Sequence, residues 1–328
     1  MTATISSSKN RSLIPLFTTG RYFKEKYGVK VYKIPVSISG FTCPNIDGKV
    51  AKGGCIYCEN RSFSPNLKSN NFDFLLNPDS KNPLLEQQLK ELSTQIEKSK
   101  IKLSNKFGAQ KFIVYFQSFT NTYAPLQTLI KLYERALLHD DVIGLSIGTR
   151  SDSISSEILD FLEKKSKDYE IWLEIGVQSI HDETLKIINR GHDFNSVQKS
   201  ISKIKKRGLK VCVHLIFGLP KESEEMILKS VKKSVALEID ALKIHPLYIT
   251  KNSALARWYA NGIYEPLDKD SYLNLLAKAL LLTPRHIIIQ RLMAGEDSEN
   301  LIAPLWCKDY RSQKSSLAKK LKEIGFIY

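Results

Sequence analysis

The sequence contains little of what a membrane or exported protein needs. No apolar run approaches the length of a membrane-spanning helix, and the nearest one, residues 279–282, is short and flanked by Lys278 and Arg285. Residues 1–13 are polar and lack the apolar segment of a secretory signal. We therefore expect a cytoplasmic protein without a membrane partner.

Cysteine is also scarce, and the five cysteines are an odd number in a chain with no export signal. A disulfide framework is not expected in a reducing compartment, so cysteines that are close in sequence are predicted to be metal ligands or redox groups. Three of the five, Cys43, Cys55 and Cys58, lie within sixteen residues. Cys212 lies in an apolar run and is predicted to be a buried core thiol. Cys307 is isolated in the sequence, and no function is predicted for it.

Acidic residues are outnumbered by basic ones. The chain has 34 Asp and Glu against 49 Lys and Arg, a net charge of +15. Such an excess is typical of proteins that contact a polyanion, although charged runs also occur on solvated helix faces. It favours a nucleic-acid partner. The candidate phosphate contacts are Lys203, Lys205, Lys206, Arg207, Lys210, Lys319, Lys320 and Lys322.

From about residue 29, apolar β-rich runs alternate with amphipathic stretches. Strands are predicted at 29–39, 111–116, 142–148, 171–177, 210–217 and 241–248. Repeated strand–helix–strand units with short links favour a parallel sheet, with functional groups at the carboxyl ends of its strands. Six units are too few to close the usual eight-stranded barrel. The predicted fold class is therefore α/β, an incomplete (β/α)6 TIM-type barrel, with an open doubly wound sheet as the alternative.

The pattern divides the chain into three regions. Residues 1–28 are predicted to be an N-terminal extension, 29–250 the partial barrel and 251–328 a small α+β accessory region. After residue 248 the pattern changes to helices, one short strand at 286–292 and a basic helix that begins at Ser312. We expect this last region to form a separate layer or a lid.

The loop after the first predicted strand carries the three clustered cysteines. Cys43 is followed by eleven residues and then by the pair Cys55-x-x-Cys58, which can bind one metal centre from a single turn. Gly48, Gly53 and Gly54 permit the positive-φ bends that such a loop needs. A structural zinc would need a fourth ligand, and a redox pair would not need Cys43. A [4Fe–4S] cluster with three protein ligands leaves one iron open to a small molecule, so we favour the cluster, with zinc as the alternative.

These residues resemble a known family. Gly40-Phe41-Thr42-Cys43-Pro44-Asn45 and Gly54-Cys55-Ile56-Tyr57-Cys58 resemble the cluster loop of the radical S-adenosylmethionine (SAM) superfamily. The long first spacing resembles the bacterial YhcC/YtqA-type radical SAM proteins and, more distantly, the catalytic subunit of Elongator. Segments 174–180 and 189–192 are similar to a motif of Elongator and of oxygen-independent coproporphyrinogen oxidase, and 215–220 and 242–247 fall at corresponding later strands. The resemblance covers roughly residues 29–258.

The resemblance implies the cofactors and the chemistry. Cys43, Cys55 and Cys58 would hold a [4Fe–4S] cluster, and the amine and carboxylate of SAM would bind its open iron. One electron from the reduced cluster would then break the sulfur–C5′ bond and yield a 5′-deoxyadenosyl radical. The resemblance also implies an electron donor such as flavodoxin or ferredoxin.

The resemblance places candidate SAM contacts near the strand ends. They are Tyr57, Gln117, Ser118, Thr149, Arg150, Asp152, Glu174, Gln178 and Arg190. Tyr57 occupies the family's aromatic position near the adenine. Gln117 and Ser118 lie where family members carry a Gly-Gly-Glu segment for the methionine amine, but this sequence lacks those glycines.

Several of these contacts have a structural alternative. Thr149, Arg150 and Asp152 fall in the family's ribose region, but Asp152 or Ser153 could instead cap the next helix. A charged Glu174 in an apolar strand is costly unless paired, which favours a functional role. Arg190 offers a planar fork for the SAM carboxylate, or it is a cation at a helix C-terminus.

The expected function is a radical SAM enzyme that acts on tRNA, with the wobble uridine as the expected target. This expectation rests on the resemblance to Elongator and on the positive charge. Residues 251–328 leave no room for Elongator's acetyltransferase domain, so its acetyl-CoA chemistry is not carried over. The alternatives are a radical SAM enzyme that acts on a small metabolite or a protein, and a zinc-stabilised RNA-binding protein without radical chemistry.

Overall fold

The computed structural model describes residues 13–59, 75–295 and 299–328. Its centre is a seven-stranded sheet in the order β2-β3-β4-β5-β6-β7-β9, and all neighbouring strands in it are parallel. The strands are β2 (Val31–Val36), β3 (Lys111–Phe116), β4 (Val142–Thr149), β5 (Glu170–Gln178), β6 (Lys210–Phe217), β7 (Ala241–Pro246) and β9 (Ile288–Arg291). The six predicted strands of the barrel are confirmed. The seventh strand comes from the predicted accessory region.

The sheet curls into a half-barrel. Lys33 on β2 donates a hydrogen bond to Gln290 on β9, although these are the two edge strands of the sheet. In a flat sheet six strand spacings would separate the edges by about 29 Å, so no side-chain contact could join them. The incomplete barrel, rather than the open doubly wound sheet, is therefore the architecture of this chain.

Helices cover the outer face of the half-barrel. They are α2 (Leu85–Phe107), α3 (Leu126–Leu137), α4 (Ser156–Lys165), α5 (Asp182–Ile187), α6 (Phe194–Lys205) and α7 (Glu224–Val235). Ser155, Asp193 and Ser223 each cap a helix by accepting a backbone N–H. The cap of α4 is thus Ser155, not Asp152 or Ser153. One continuous apolar core joins these helices to the strands.

The amino end of the half-barrel is covered by the segment that precedes β2. Strand β1 (Ile14–Pro15) is followed by α1 (Thr19–Tyr27). Thr18 forms a parallel bridge with Ile289 of β9, so α1 is attached to an edge of the sheet. Tyr22 and Tyr27 donate to the Glu170 carboxylate at the start of β5, at 2.6 and 2.9 Å. These contacts hold α1 against the amino ends of the strands.

The C-terminal region is integrated with the barrel. Its elements are β8 (Ile249–Thr250), α8 (Ala254–Ala260), α9 (Lys269–Leu281), β10 (Leu301–Ala303), α10 (Tyr310–Glu323) and β11 (Phe326–Ile327). Strand β10 pairs with β8 antiparallel, and β11 pairs with β1 parallel. In the part of the chain that the structure describes, no helix is both long and apolar enough to span a membrane.

Candidate active site

The cysteine loop follows β2 and is fixed by backbone contacts to other elements. Within the loop, the Cys43 carbonyl accepts the N–H of Ile46 at 2.8 Å, and the Cys58 N–H donates to the Cys55 carbonyl at 2.9 Å. Ile56 donates to Ile188 at 3.1 Å, next to α5. Its carbonyl accepts the N–H of Leu255 in α8 at 2.8 Å. The two cysteines of the Cys-x-x-Cys pair are therefore held between α5 and the C-terminal region.

Gly191 allows a second close approach to this loop. It has φ +77°, and a Cβ atom there would lie 2.2 Å from Asn45 Oδ1 and 2.7 Å from Val50 Cγ1. Asn45 also donates to the Asn189 carbonyl, and Asn189 Nδ2 donates to the Gly54 carbonyl at 2.7 Å. The Asn-Arg-Gly segment thus packs directly on the cysteine loop, and only glycine fits at position 191.

The three cysteines of the loop are all free thiols. Their sulfurs are not all within 4.8 Å of one another, so at least one pair is wider than this distance. Two thiolates on one tetrahedral zinc would be about 3.8 Å apart. The wider spacing fits a multi-iron cluster that would be held through more than one iron.

Three nitrogen donors approach the sulfurs. Asn45 Nδ2 and Arg190 Nη1 each lie 3.7 Å from Cys55 Sγ, and Arg150 Nη1 lies 4.0 Å from Cys43 Sγ. Such donors stabilise thiolates and cluster sulfur rather than neutral thiols. Burial would lower the pKa of Arg190, but the nearby Cys55 and Tyr57 raise it above its usual value. Burial, with repulsion from Cys55 and Cys43, raises the pKa of the Cys58 thiol.

Several buried polar atoms around this loop lack a partner among the described residues. They are Thr42 Oγ1, Asn45 Oδ1, Arg190 Nε and His192 Nε2. Buried polar groups are otherwise almost always hydrogen-bonded, so this concentration indicates a polar ligand next to the cysteines. Three thiols, cationic donors and unpaired polar atoms together fit a [4Fe–4S] cluster and a polar cofactor beside it.

The two arginines of the site have different partners. Arg150 forms a bidentate pair with Asp152, at 2.8 and 2.6 Å, and donates to the Arg190 carbonyl at 2.8 Å. Burial would raise the pKa of Asp152, but the hydrogen bonds from Arg150 lower it. Arg190 Nη2 donates to the Gly176 carbonyl at 2.6 Å, and its buried Nε has no hydrogen-bond partner among the described residues. Both predicted arginines therefore lie beside the cysteines.

Four further predicted SAM contacts, Gln117, Ser118, Thr149 and Gln178, lie at the carboxyl ends of the strands, whereas Tyr57 lies in the cysteine loop itself. Ser118 follows β3 with φ +67°, and Gln178 ends β5 with φ +68°. Non-glycine residues in this region are strained, and such strain often marks functional sites. Gln117 lies directly after β3, and its N–H donates to the Val36 carbonyl at 3.2 Å. Thr149 ends β4, where its hydroxyl lies 2.5 Å from that of Thr122.

Glu174 lies deeper in the half-barrel, two residues nearer the amino end than Gly176, or about 7 Å along β5. Its side chain is fully buried. Its carboxylate accepts from His214 at 2.6 Å, from Lys243 at 3.0 Å, and also from Lys33 and Ser146. Burial would raise the pKa of Glu174, but Lys243 and Lys33 hold it well below its usual value.

The neighbours of Glu174 are also perturbed. Burial, together with the positive charge of Lys243, lowers the pKa of His214 to about 4. The imidazole is therefore neutral near pH 7, and its Nε2–H donates to Glu174. Burial lowers the pKa of Lys243 to about 8. Lys243 also donates to the Tyr115 hydroxyl at 3.0 Å.

This buried cluster could offer ligands to a metal ion. The ligand atoms of Glu174, Cys212 and His214 all lie within 4.8 Å of one another. However, Lys33 and Lys243 already contact the Glu174 carboxylate and would repel a divalent cation. Burial raises the pKa of Cys212, which favours the neutral thiol. Cys212 is a buried core thiol, as predicted.

The sequence pattern predicted a functional role for Glu174 but not for its neighbours Lys33, Ser146, Lys243 and Tyr115. Two of these neighbours are lysines inside apolar strands, which is a pattern that indicates a buried ion pair. Lys33 lies in the β2 sequence VYKIPV, and Lys243 lies in the β7 sequence ALKIHP. Both strands are apolar on either side of the lysine, so a charge there needs a buried partner. The pattern does not reveal which partner it has.

Several of the candidate phosphate contacts lie around the end of α6. Lys205 pairs with Asp240 at 2.7 Å, Arg207 with Asp160 at 2.7 Å, and Lys210 with Glu170. Lys210 begins β6, so this group lies at the amino ends of the strands, opposite the site. Lys320 in α10 pairs with Glu323 at 3.0 Å. These four side chains are each paired with a carboxylate, and the prediction that the basic residues contact phosphate stays a prediction.

A curled parallel sheet with three cysteines after its first strand defines a radical SAM protein. Residues 48–233 match the Radical SAM superfamily, and residues 239–323 match the Radical_SAM C-terminal domain. The chain belongs to the radical SAM superfamily. It is 34% identical to the YhcC protein of Escherichia coli (strain K12) over 316 residues, which are 96% of this chain and 94% of that protein. It is 33% identical to the YtqA protein of Bacillus subtilis (strain 168) over 308 residues, 94% of this chain and 90% of that protein.

Other similarities are partial. The chain is 28% identical to the tRNA uridine(34) acetyltransferase of Dehalococcoides mccartyi over 158 residues, 46% of this chain and 33% of that protein. Among solved structures it resembles the archaeal Methanocaldococcus infernus Elp3, with a TM-score of 0.60 and 19% identity. That match covers 90% of this chain and 63% of the Elp3 chain, and it shows a shared fold.

Proposed function

We propose that this radical SAM protein modifies tRNA, with a wobble uridine as its target. The observation that carries the proposal is the partial match to a tRNA uridine(34) acetyltransferase. The positive charge supports a polyanionic substrate. The chain spans one third of that relative, so only a radical step, and no acetyl transfer, is proposed for it.

We infer that Cys43, Cys55 and Cys58 hold a [4Fe–4S] cluster. The cluster and SAM, when bound, supply the 5′-deoxyadenosyl radical chemistry of the superfamily. Asn45 and Arg190 stabilise the Cys55 thiolate through N–H donors.

Arg190 has a free Nε beside the sulfurs, which supports its assignment to the SAM carboxylate. Arg150 forms an ion pair with Asp152, and it also donates a hydrogen bond to the Arg190 carbonyl, which fixes the position of the Arg190 backbone. The remaining proposed SAM contacts are Tyr57, Gln117, Ser118, Thr149 and Gln178. Glu174 has four partners deeper in the barrel, and we propose that it acts by orienting Lys33, His214 and Lys243 toward the bound substrate.

The proposed setting is the cytoplasm, with a flavodoxin or ferredoxin as the electron donor. Radical SAM proteins need a low-potential electron, and cluster potential depends on sulfur hydrogen bonds and exposure. Cys43 and Cys58 are partly exposed, which supports electron entry at this face.

The test is anaerobic reconstitution with iron and sulfide, followed by SAM and a reductant. We expect 5′-deoxyadenosine to form, and to form faster with total tRNA. Mass spectrometry of nucleosides from a deletion strain should show a missing uridine derivative, and an unchanged profile would refute the tRNA assignment. Cys43→Ser should lose bound iron, whereas Cys307→Ala, which alters a buried cysteine of the C-terminal region, should retain it.

A further inference from the structure

A cavity of about 420 Å³ opens at the carboxyl end of β9, outside the cysteine site. Its wall is formed by the segment that ends β9 and by residues around α10. The lining residues are Gln290, Arg291, Leu292, Met293, Ala294, Gly295, Lys308, Tyr310 and Tyr328. The volume lies within the range of roughly 300–1,000 Å³ that is common for small-molecule sites.

The chemistry of the wall favours an anion with an aromatic part. Arg291 and Lys308 bring two positive charges, and no Asp or Glu side chain lines the cavity among the described residues. Tyr310 and Tyr328 are 55% and 49% exposed, so their rings are available for stacking. Arginine and lysine with aromatic rings are the side chains with which proteins bind single nucleotides.

The cavity adjoins the buried cluster around Glu174. Gln290, which lines the cavity, accepts a hydrogen bond from Lys33 at 2.7 Å, and Lys33 contacts the Glu174 carboxylate. The cluster contains two ammonium groups, Lys33 and Lys243, and one carboxylate. Its excess positive charge is costly in a buried place unless an anion compensates it.

Arg291 brings a further positive charge close to the cluster around Glu174. Burial lowers the pKa of His245 well below its usual value, and the positive charge of Arg291 lowers it further. Arg291 is also the register partner of Lys243, so the cation of the cavity and a cation of the interior lie on neighbouring strands.

We propose that this cavity binds one nucleotide, with its phosphate on Arg291 and Lys308 and its base against Tyr310 and Tyr328. The proposal rests on the proposed function and deepens it, since it gives the tRNA strand a binding site on the open side of the half-barrel. The shared chemistry is a phosphate ester of a nucleoside, whether in an RNA strand or in a free metabolite.

The test measures binding to the anaerobically reconstituted protein by calorimetry. Uridine 5′-monophosphate should bind, and uridine should bind at least tenfold more weakly. Arg291→Gln should weaken binding of the monophosphate at least tenfold, and Tyr310→Leu severalfold. Lys314→Gln removes an exposed lysine of α10 that does not line the cavity, and it should bind as the wild type does.

Two results would overturn the proposal: no binding of the monophosphate at millimolar concentration, or equal binding by Arg291→Gln and the wild type. If tRNA still binds with a steep salt dependence in that case, the proposed tRNA function survives without this site. If the monophosphate binds and Arg291→Gln weakens it, but neither tRNA nor a uridine-containing oligonucleotide binds, the site stands and its ligand is a free nucleotide. Tight binding of the oligonucleotide that depends on Arg291 identifies an RNA strand as the source.

Discussion

The Lys33 ammonium on β2 donates to the Gln290 amide oxygen on β9 at 2.7 Å. The two residues lie on the two edge strands of the sheet, so this contact joins its ends across the open side of the half-barrel. Lys33 also contacts Glu174 at the centre of the interior. The same lysine therefore contacts both the opposite edge strand and the buried carboxylate inside the half-barrel.

Replacing Lys33 by Met should destabilise the fold strongly. The Glu174 side chain is fully buried, and loss of one cation leaves its charge less compensated. Breaking such a buried pair costs about 3–5 kcal/mol. Urea unfolding checks this value, with Lys278→Met as the control because its pair with Glu224 is half exposed and is expected to contribute less than about 1 kcal/mol. Equal losses for both variants would contradict the role assigned to Lys33.

Gly191→Ala should displace the cysteine loop. The added Cβ would lie 2.2 Å from Asn45 Oδ1, and the residue has φ +77°. The reconstituted variant should therefore bind much less iron than the wild type. Gly208→Ala is a matched control, since Gly208 has φ +67° but nothing within 4 Å of its added Cβ. It should lose about 1 kcal/mol of stability and keep its iron. Full iron content in Gly191→Ala would show that the close approach does not position the loop.

Glu170 should make stability depend on pH in the acid range. Burial would raise its pKa, but hydrogen bonds from Lys210, Lys26 and Tyr22 lower it to about 2. Because the folded-state pKa lies below the unfolded value of about 4.3, its stabilisation is complete above that pH and is lost between about pH 4.3 and pH 2. The loss amounts to about 3 kcal/mol.

The measurement is the free energy of unfolding in urea at pH 5 and at pH 2.5. Glu170→Gln should be less stable at pH 5 and should lose less stability on acidification than the wild type. Glu225→Gln, an exposed change on α7, should follow the wild-type profile. Parallel profiles for Glu170→Gln and the wild type would exclude the effect.

Arg190→Lys should bind SAM at least tenfold more weakly. A lysine keeps the charge but loses the planar fork that contacts Gly176 and Cys55 and presents a free Nε. Equilibrium binding of SAM to the reconstituted protein measures the effect, and iron content shows whether the cluster remains. Arg207→Lys, far from the site and paired with Asp160, should bind SAM normally. Unchanged affinity in Arg190→Lys would remove Arg190 from the list of SAM contacts.

The strands could be predicted because a sheet covered on both faces needs long apolar runs. Strand β5, predicted at 171–177, is observed as Glu170–Gln178, and the other predicted strands agree similarly well. The seventh strand was predicted as a strand but not as part of the sheet. Its place depends on the curl and on contacts such as the Thr18–Ile289 bridge, which no local pattern encodes.

The cysteines could be predicted from their spacing, because three thiols in one glycine-containing loop have few uses. The partners of Glu174 could not be predicted in this way. They lie on β2, β4, β6 and β7, and only the register between the strands brings them together. The ion pairs of the basic residues around the end of α6 could not be predicted either. Lys205, Arg207 and Lys210 are evident in the sequence, but their partners Asp240, Asp160 and Glu170 lie more than 30 positions away along the chain.

The pairing of β1 with β11 has a consequence for how the chain is made. Ile14 pairs with Phe326 and Pro15 with Ile327, so β1 cannot complete this pairing until residues 326 and 327 have been synthesised. The barrel strands emerge in the interval, in the order in which they pair. Pairing of β1 with β11 is therefore expected only after all seven strands of the sheet have been synthesised.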